Sequence, residues 1–260
     1  QAPIVERTTL HEWPLSCVQQ LAMADGRKMI YKSQFGPTVE AEFYARARSD
    51  LLPGVETIYA SDGHVCMLME FVDAPLIEEF DLTEKDVVRA GRAVMEQINS
   101  ISGDLPYYVD VSSENKWGIL VEETLRVLRD LVDNGLFSRV DRAVIRSLER
   151  WACSGAVLSA IATQPGYVHG DLHGDNLFLL PDGYCLIDWQ RPRLGPRELD
   201  LVSLLMGLGF SPLRYVEQGV IGIYHFLHIH WFAQCKAQWI PEATSYDEAI
   251  LKLASRIEAL

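Results

Sequence analysis

The chain has 260 residues, 48% of them hydrophobic and 23% charged, which suffices to bury a sizeable core as one large domain or two small lobes. Its 36 acidic residues against 23 Lys and Arg leave a net charge of −13, which disfavours nucleic acid or an anionic membrane as partner, since both demand a basic face. Five Cys without CxxC spacing (Cys17, Cys66, Cys153, Cys185, Cys235) argue against a disulfide framework or a zinc site and for a reduced, cytoplasmic setting.

The N-terminus shows no basic segment followed by an apolar one, so no secretory signal is expected. The chain starts at Gln1 rather than Met, which leaves open what precedes it. The first seventy residues read as strand-rich. VQQLAMADGRKMIYK has two extended runs around Asp25-Gly26, and VETIYASDGHVCMLMEF repeats the device around Asp62-Gly63. Between them, PTVEAEFYARARSDLL predicts a helix that ends before Pro53-Gly54. From Leu82 the pattern turns helical. Thr83 to Asp86 reads as a capping box, opening a helix to about Ser100. WGILVEETLRVLRDLVDNG is amphipathic and stops at Asn134-Gly135, and RVDRAVIRSLERWACSGAVLSAI predicts one or two further helices. A polar-apolar segment interrupts them at 169–188, and the chain finishes helical from about Glu198. The longest apolar run, GVIGIYHFLHIHWFA from Gly219, is broken by three His and falls short of membrane-spanning length.

The interrupting segment reads HGDLHGDNLFLLPDGYCLID. LFLLPDGYCLI carries a Pro-Asp-Gly turn between two apolar runs, which predicts a hairpin. With Asp182 as the turn centre, Asn176 and Asp188 face each other across its open end, and Asp171 arrives from the loop feeding the first strand. An amide oxygen and carboxylates gathered at one mouth suit a hard divalent cation.

This pattern resembles the catalytic segment of protein-kinase-like enzymes, H-x-D-x-x-x-x-N followed by a strand, a turn and an Asp. More closely, HGDLHGDN followed by LIDWQ resembles the aminoglycoside phosphotransferase and choline kinase-like family. The likeness covers most of the chain in order of elements, with sharp identity in this segment. It implies a two-lobed protein-kinase-like α+β fold. Residues 1–72 would form a small antiparallel-sheet lobe with one helix, and residues 73–260 a mainly helical lobe with the catalytic loop and substrate site. It also implies phosphoryl transfer from ATP to a small-molecule hydroxyl, with Asp171 as base and Asn176 and Asp188 holding Mg²⁺. His169 would brace the loop, and His173 would either contact a phosphate or serve the loop's structure.

The other parts of such a site are sought along the chain. Lys32 in MIYK stands where the family has its strand Lys, sharing a face with Ile30; the alternative is a polar pair, Lys28 and Lys32, on an edge strand. For its partner, helical spacing places Glu40 with Phe43, Tyr44 and Ala47, whereas Glu42 lies four before Arg46 in an exposed pair. Glu40 is the expected partner. The segment HEWPLS, 11–16, occupies the position of a phosphate-covering loop without a single Gly, leaving backbone amides and Ser16 for that role. CMLMEFVDAP resembles the strand and hinge between lobes, with backbone around Glu70 to Val72 at the adenine edge; a core strand leaving through a loop reads almost as well. Eleven residues separate Asp188 from Asp200, leaving no space for a peptide-docking segment, and Gly170 replaces the Arg that would receive an activation-loop phosphate. Both features point to a small-molecule kinase.

Two other classes compete. GDLHGDN also resembles the opening of metallophosphoesterases, but no second metal-binding block follows Asn176. A kinase-like module that binds nucleotide without catalysis is invited by the glycine-free loop, and opposed by Asp171, Asn176 and Asp188 standing together. His225, His228 and His230 offer three ring nitrogens, yet on a helix only the first two share a face. Acidic residues beside Tyr107 and Tyr108, namely Asp104, Asp110 and Glu114, raise a cationic amino-alcohol or aminosugar as acceptor, through charge attraction and cation–π contact, against plain surface charge. These motifs encode neither the acceptor's identity nor an oligomeric state.

Overall fold

A computed structural model describes residues 2–163 and 165–260; Gln1, and with it the question of what precedes it, lies outside that range. In chain order the elements are β1 (Ile4–Trp13), β2 (Ser16–Met23), β3 (Lys28–Phe35), α1 (Glu40–Arg46), β4 (Val55–Ser61), β5 (His64–Glu70), α2 (Glu84–Ser100), β6 (Val109–Asp110), α3 (Glu114–Asp133), α4 (Arg142–Ala152) and α5 (Gly155–Ala162). There follow β7 (Pro165–Val168), β8 (Leu177–Leu180), β9 (Gly183–Leu186), β10 (Arg193–Pro196), α6 (Leu199–Gly207), α7 (Gln218–Gln234) and α8 (Ser245–Glu258). Among the described residues no helix is long and apolar enough to cross a membrane.

The chain forms two compact units, and they do not divide at residue 72. One unit joins 1–109 to 169–192; the other joins 110–168 to 193–260. The reason is local pairing. The β8–β9 hairpin is tied to the first segment by Leu186 N–H donating to Leu51 O (2.8 Å) and Leu179 N–H donating to Pro75 O (2.9 Å).

The first unit is built on a five-stranded antiparallel sheet of order β1-β2-β3-β5-β4. Its turns follow from the residues placed there. Gly26 adopts φ +85°, and both Asp62 and Gly63 lie in the left-handed region, as a tight hairpin with the strands' right-handed twist requires. β1 was not visible as a separate strand in the sequence; it pairs with β2 through bulges, and its side chains are nearly all exposed. The α1 helix is shorter than expected. It stops at Arg46 because Ala47 turns extended and Arg48 pairs with Ser102 in an isolated bridge. Thr83 caps α2 as expected, accepting from Asp86 N–H.

The second unit is helical, with β7 and β10 paired antiparallel. Asp141 caps α4 by accepting from Ala143 and Val144 N–H. Its core gathers Trp117, Leu128, Ile145, Leu148, Phe226 and Ile250, all at most 2% exposed. Asp247 accepts from three successive backbone N–H groups, Ser138, Arg139 and Val140, at 2.7–2.9 Å, fixing the loop before α4.

Candidate active site

Strand alternation puts Ile30, Lys32 and Gln34 on one face of β3, with Lys32 and Gln34 buried. A buried ammonium needs anionic partners, because loss of water disfavours its charge. Lys32 Nζ lies 2.8 Å from Glu40 Oε2 and 3.0 Å from Oε1, and it also donates to Asp188 Oδ1. Burial opposes the Lys32 charge, but Asp188 and Glu40 together hold its pKa above the ordinary lysine value. Burial pushes the Glu40 carboxyl up, and Lys32 counters it. Gln34 Nε2 donates to Glu40 Oε2. Glu42 points to solvent and pairs with Arg46 at 2.6 Å. Helical spacing alone had separated these two carboxylates.

The segment 169–176 is held by a left-handed turn and by the His169 side chain. Gly170 takes φ +85°, a conformation that costs a side chain-bearing residue dearly and turns the chain between His169 and Asp171. His169 is buried. Its Nε2–H donates to Ile187 O (3.0 Å), and Asp171 N–H donates to its Nδ1 (3.3 Å). These partners fix the neutral tautomer, and burial lowers the His169 pKa to about 4. Asp171 is 42% exposed, with Oδ1 3.2 Å from His173 Nε2. Burial would raise the Asp171 pKa, but the His173 contact and charge, with Arg191 and His169, carry it well below the ordinary carboxylate range. The same contact raises the His173 pKa against the opposing effect of burial.

Asn176 Nδ2 donates to Asp171 O (3.0 Å), which turns the amide oxygen the other way. The hairpin register differs from the one expected. The loop is the two residues Pro181 and Asp182, with Leu180 opposite Gly183 and Leu177 opposite Leu186. Pro181 fits the first loop position because its ring locks φ. Partners therefore sum one lower than a turn centred on Asp182 requires. Asn176 meets Ile187, whose N–H donates to Asn176 O (3.0 Å), and not Asp188. Asp188 lies one residue beyond, in the left-handed region at φ +69°. Such backbone in a non-glycine residue is sparsely populated and gathers at functional sites. Gln190 Nε2 donates to Asp188 Oδ1 (2.7 Å). Burial opposes Asp188 ionisation, yet the charge and hydrogen bond of Lys32 and the bond from Gln190 hold its pKa below the ordinary value.

Beside this cluster, in the same unit, is a cavity of about 540 Å³ with walls that include Val18, Ile30, Met69, Val72, Phe178 and Ile187. Its size and apolar lining suit a flat heteroaromatic ring. Of the two expected hinge residues, Val72 lines the wall. Glu70 also reaches the cavity, but its N–H donates to Gly54 O (2.8 Å) and its carboxylate accepts from Gly54 N–H (3.0 Å). Ser16 follows the Pro14-Leu15 turn, opposite Trp13, and does not line the cavity. Two of the acidic residues considered for a cationic acceptor already hold cations: Asp104 pairs with Arg46 (3.1 Å) and Asp110 with Lys116 (2.6 Å). The His of α7 do not converge. His230 Nδ1 meets Thr124 Oγ1 (2.8 Å), His228 Nδ1 meets Tyr224 O (2.9 Å), and no group of three metal-ligating residues occurs among the described residues.

Sequence reasoning passed over Gln34 and Gln190. Gln34 had a signal, since an amide on the core side of a strand needs a partner; Gln190, two residues after Asp188, had none beyond its polarity.

Residues 39–225, some 70% of the chain, match the model of the phosphotransferase enzyme family APH. The chain belongs to this family. A "probable ketoamine kinase" of Staphylococcus aureus is 32% identical to this chain over 118 residues, which is 43% of the chain. That match spans only 40% of the relative's length. Among solved structures, a choline/ethanolamine kinase family protein from Mesorhizobium loti superposes with TM-score 0.67 at 14% identity, covering 98% of this chain and 87% of that one. Ethanolamine kinase of Plasmodium vivax gives 0.63 at 12% identity, covering 96% and 81%. A thermostable mutant of aminoglycoside phosphotransferase APH(4)-Ia, in ternary complex with AMP-PNP and hygromycin B, gives 0.61 at 12% identity, covering 98% and 93%. The fold of this family member is therefore kinase-like α+β, as its motifs implied.

Proposed function

We propose that this family member transfers the γ-phosphate of ATP, with Mg²⁺, to a hydroxyl of a small molecule. The observation that carries the reading is the cluster in one compact unit of a buried Lys32–Glu40 pair, Asp188 and the Asn176–Asp171 loop, beside an apolar cavity. The donor set fits the metal. Asn176 has its amide nitrogen engaged, which leaves the oxygen as ligand, and no hydrogen bond reaches Asp188 Oδ2 among the described residues. Carboxylate and amide oxygens are what a hard dication takes. Mg²⁺, when bound, neutralises phosphate charge and aligns the transferring group.

The remaining roles belong to the chain itself. The apolar cavity receives the adenine, with the backbone of Val72 and the neighbouring Glu70 at its edge, and Lys32 reaches the phosphates. Asp171, kept ionised by its surroundings, orients the acceptor hydroxyl and accepts its proton as the oxygen attacks the γ-phosphorus. The bond from that phosphorus to the bridging oxygen breaks, and ADP leaves with the electron pair. His169, neutral and bonded at both nitrogens, holds the loop while this happens. His173 reaches Asp171, and a second contact to phosphate is compatible with its partial exposure. Ser16 and the amides near the Pro14-Leu15 turn take the phosphate-covering role in place of a glycine loop. A cytoplasmic setting accords with ATP use and with five free thiols.

For the acceptor we infer an amine-bearing sugar or amino alcohol. The support is the ketoamine kinase relative together with the chain's acidity. Asp104 and Asp110 do not add to it, being paired. The test is ADP release with Mg-ATP against a panel of ketoamines, aminosugars, amino alcohols and neutral sugars, at low and high salt. Turnover of an amine-bearing acceptor at least tenfold above its neutral counterpart supports both parts. Mg-ATP binding without turnover of any acceptor would leave a nucleotide-binding module and overturn catalysis.

A further inference from the structure

We infer that Gln190 is the positioning residue that presents Asp188 to the metal. The inference rests on the reading of Asp188 as a metal ligand given above. Three contacts converge on the Gln190 residue. Its Nε2 donates to Asp188 Oδ1 (2.7 Å), its Oε1 accepts from the Arg191 guanidinium (3.3 Å), and its backbone O accepts from Val39 N–H (3.1 Å) immediately before α1. The Arg191 contact fixes which end of the amide is nitrogen, so the end facing Asp188 is the donor.

Lys32 donates to the same oxygen, Oδ1. Two donors on Oδ1 fix the carboxylate's rotation and leave Oδ2 as the oxygen free to ligate. Asp188 needs this help, because its backbone at φ +69° is held by its surroundings and not by its own preference. The contacts also close a circuit. Asp188 joins Lys32, Lys32 joins Glu40 on α1, Val39 at the start of α1 joins Gln190, and Gln190 returns to Asp188. Trp189, between the two polar residues, is stacked on Phe43 of α1 with centroids 4.2 Å apart. The 188–190 segment is thus docked along α1, and Gln190 is the one member whose side chain connects that docking to the ligating carboxylate.

The experiment is calorimetric titration of the full chain with ATP, without metal and at a series of Mg²⁺ concentrations, on wild type, Gln190→Met and Gln190→Ala. Met keeps the length and lacks the donor; Ala removes the side chain from a half-buried position and serves should Met disturb packing. Outer-shell partners of metal ligands are worth about 10-fold to 100-fold in metal affinity. The expected result is that both variants bind metal-free ATP within about twofold of wild type while needing about tenfold more Mg²⁺ for half-maximal enhancement. A general loosening of the site would lower both affinities together, and that outcome overturns the proposal, as does a wild-type Mg²⁺ dependence in the variants. Wild type that shows no Mg²⁺-enhanced ATP binding would instead overturn the metal assignment of Asp188 on which this rests.

Discussion

At the scale of single residues, the clearest test falls on Asp171. Asn in its place keeps shape and hydrogen-bonding reach but cannot take a proton, so Asp171→Asn should cut kcat by about 10²–10⁴ while Mg-ATP affinity, measured by calorimetry, stays within a few-fold. Unchanged turnover would remove Asp171 from the chemistry. The His173 contact adds a pH dependence whose sign can be worked out. Asp171 is depressed and stays ionised through the neutral range, whereas the Asp171 contact raises His173, which keeps its proton to higher pH than an ordinary histidine. Protonated His173 competes with the acceptor hydroxyl for Asp171, so kcat/KM should climb as pH rises through the His173 value. His173→Gln, which donates at every pH, should flatten that limb; an unaltered limb in a pH–rate profile would assign it elsewhere. The same shifts govern stability in a bounded window. The His173 contribution is full below its unfolded pKa and fades as pH rises through the raised folded one. The Asp171 contribution is present above its unfolded pKa and fades as pH falls through the depressed one. Both side chains are a third or more exposed, which keeps the effect small.

At the scale of elements, the docking of 188–190 on α1 makes Trp189 structural. It is fully buried, stacked on Phe43, edge-on to His169, and its Nε1 donates to Leu186 O at 3.1 Å. Trp189→Ala should cost about 3–5 kcal/mol, read as a fall in the denaturant midpoint at unchanged slope. A midpoint within error of wild type would mean that the cavity is filled by repacking. This scale also separates what sequence could tell from what it could not. Glu40 was distinguishable from Glu42 because helical period decides which carboxylate turns inward. The hairpin turns at Gly26 and Gly63 were legible because positive φ selects glycine. The register of β8 and β9 came out one residue wrong, since Pro-Asp-Gly permits loops of two or three residues and only the pairing decides. The early end of α1 depends on Arg48 meeting Ser102, and the short β7 and β10 depend on each other; residues 25 or more apart cannot be seen to pair from composition. Of the site, the motif-bearing residues were readable, while Gln34 and Gln190 were found only through their contacts.

At the scale of the whole molecule, neither compact unit is continuous in sequence. Residues 1–109 contain the complete five-stranded sheet but lack Trp189, the partner of Phe43, and Asp188, which balances buried Lys32. A fragment ending at 109 should therefore show little amide protection in β3 by hydrogen exchange, although every strand is present. Native-like protection of Lys32 and Tyr31 amides would show that the sheet stands without the hairpin. The consequence reaches into synthesis. On a ribosome adding roughly 5–20 residues per second, the sheet, complete at Glu70, would wait on the order of 6–24 s for residue 192. For those seconds Lys32 lacks the Asp188 carboxylate and Phe43 lacks the Trp189 ring, and a nascent chain left in that condition would be expected to need chaperone protection.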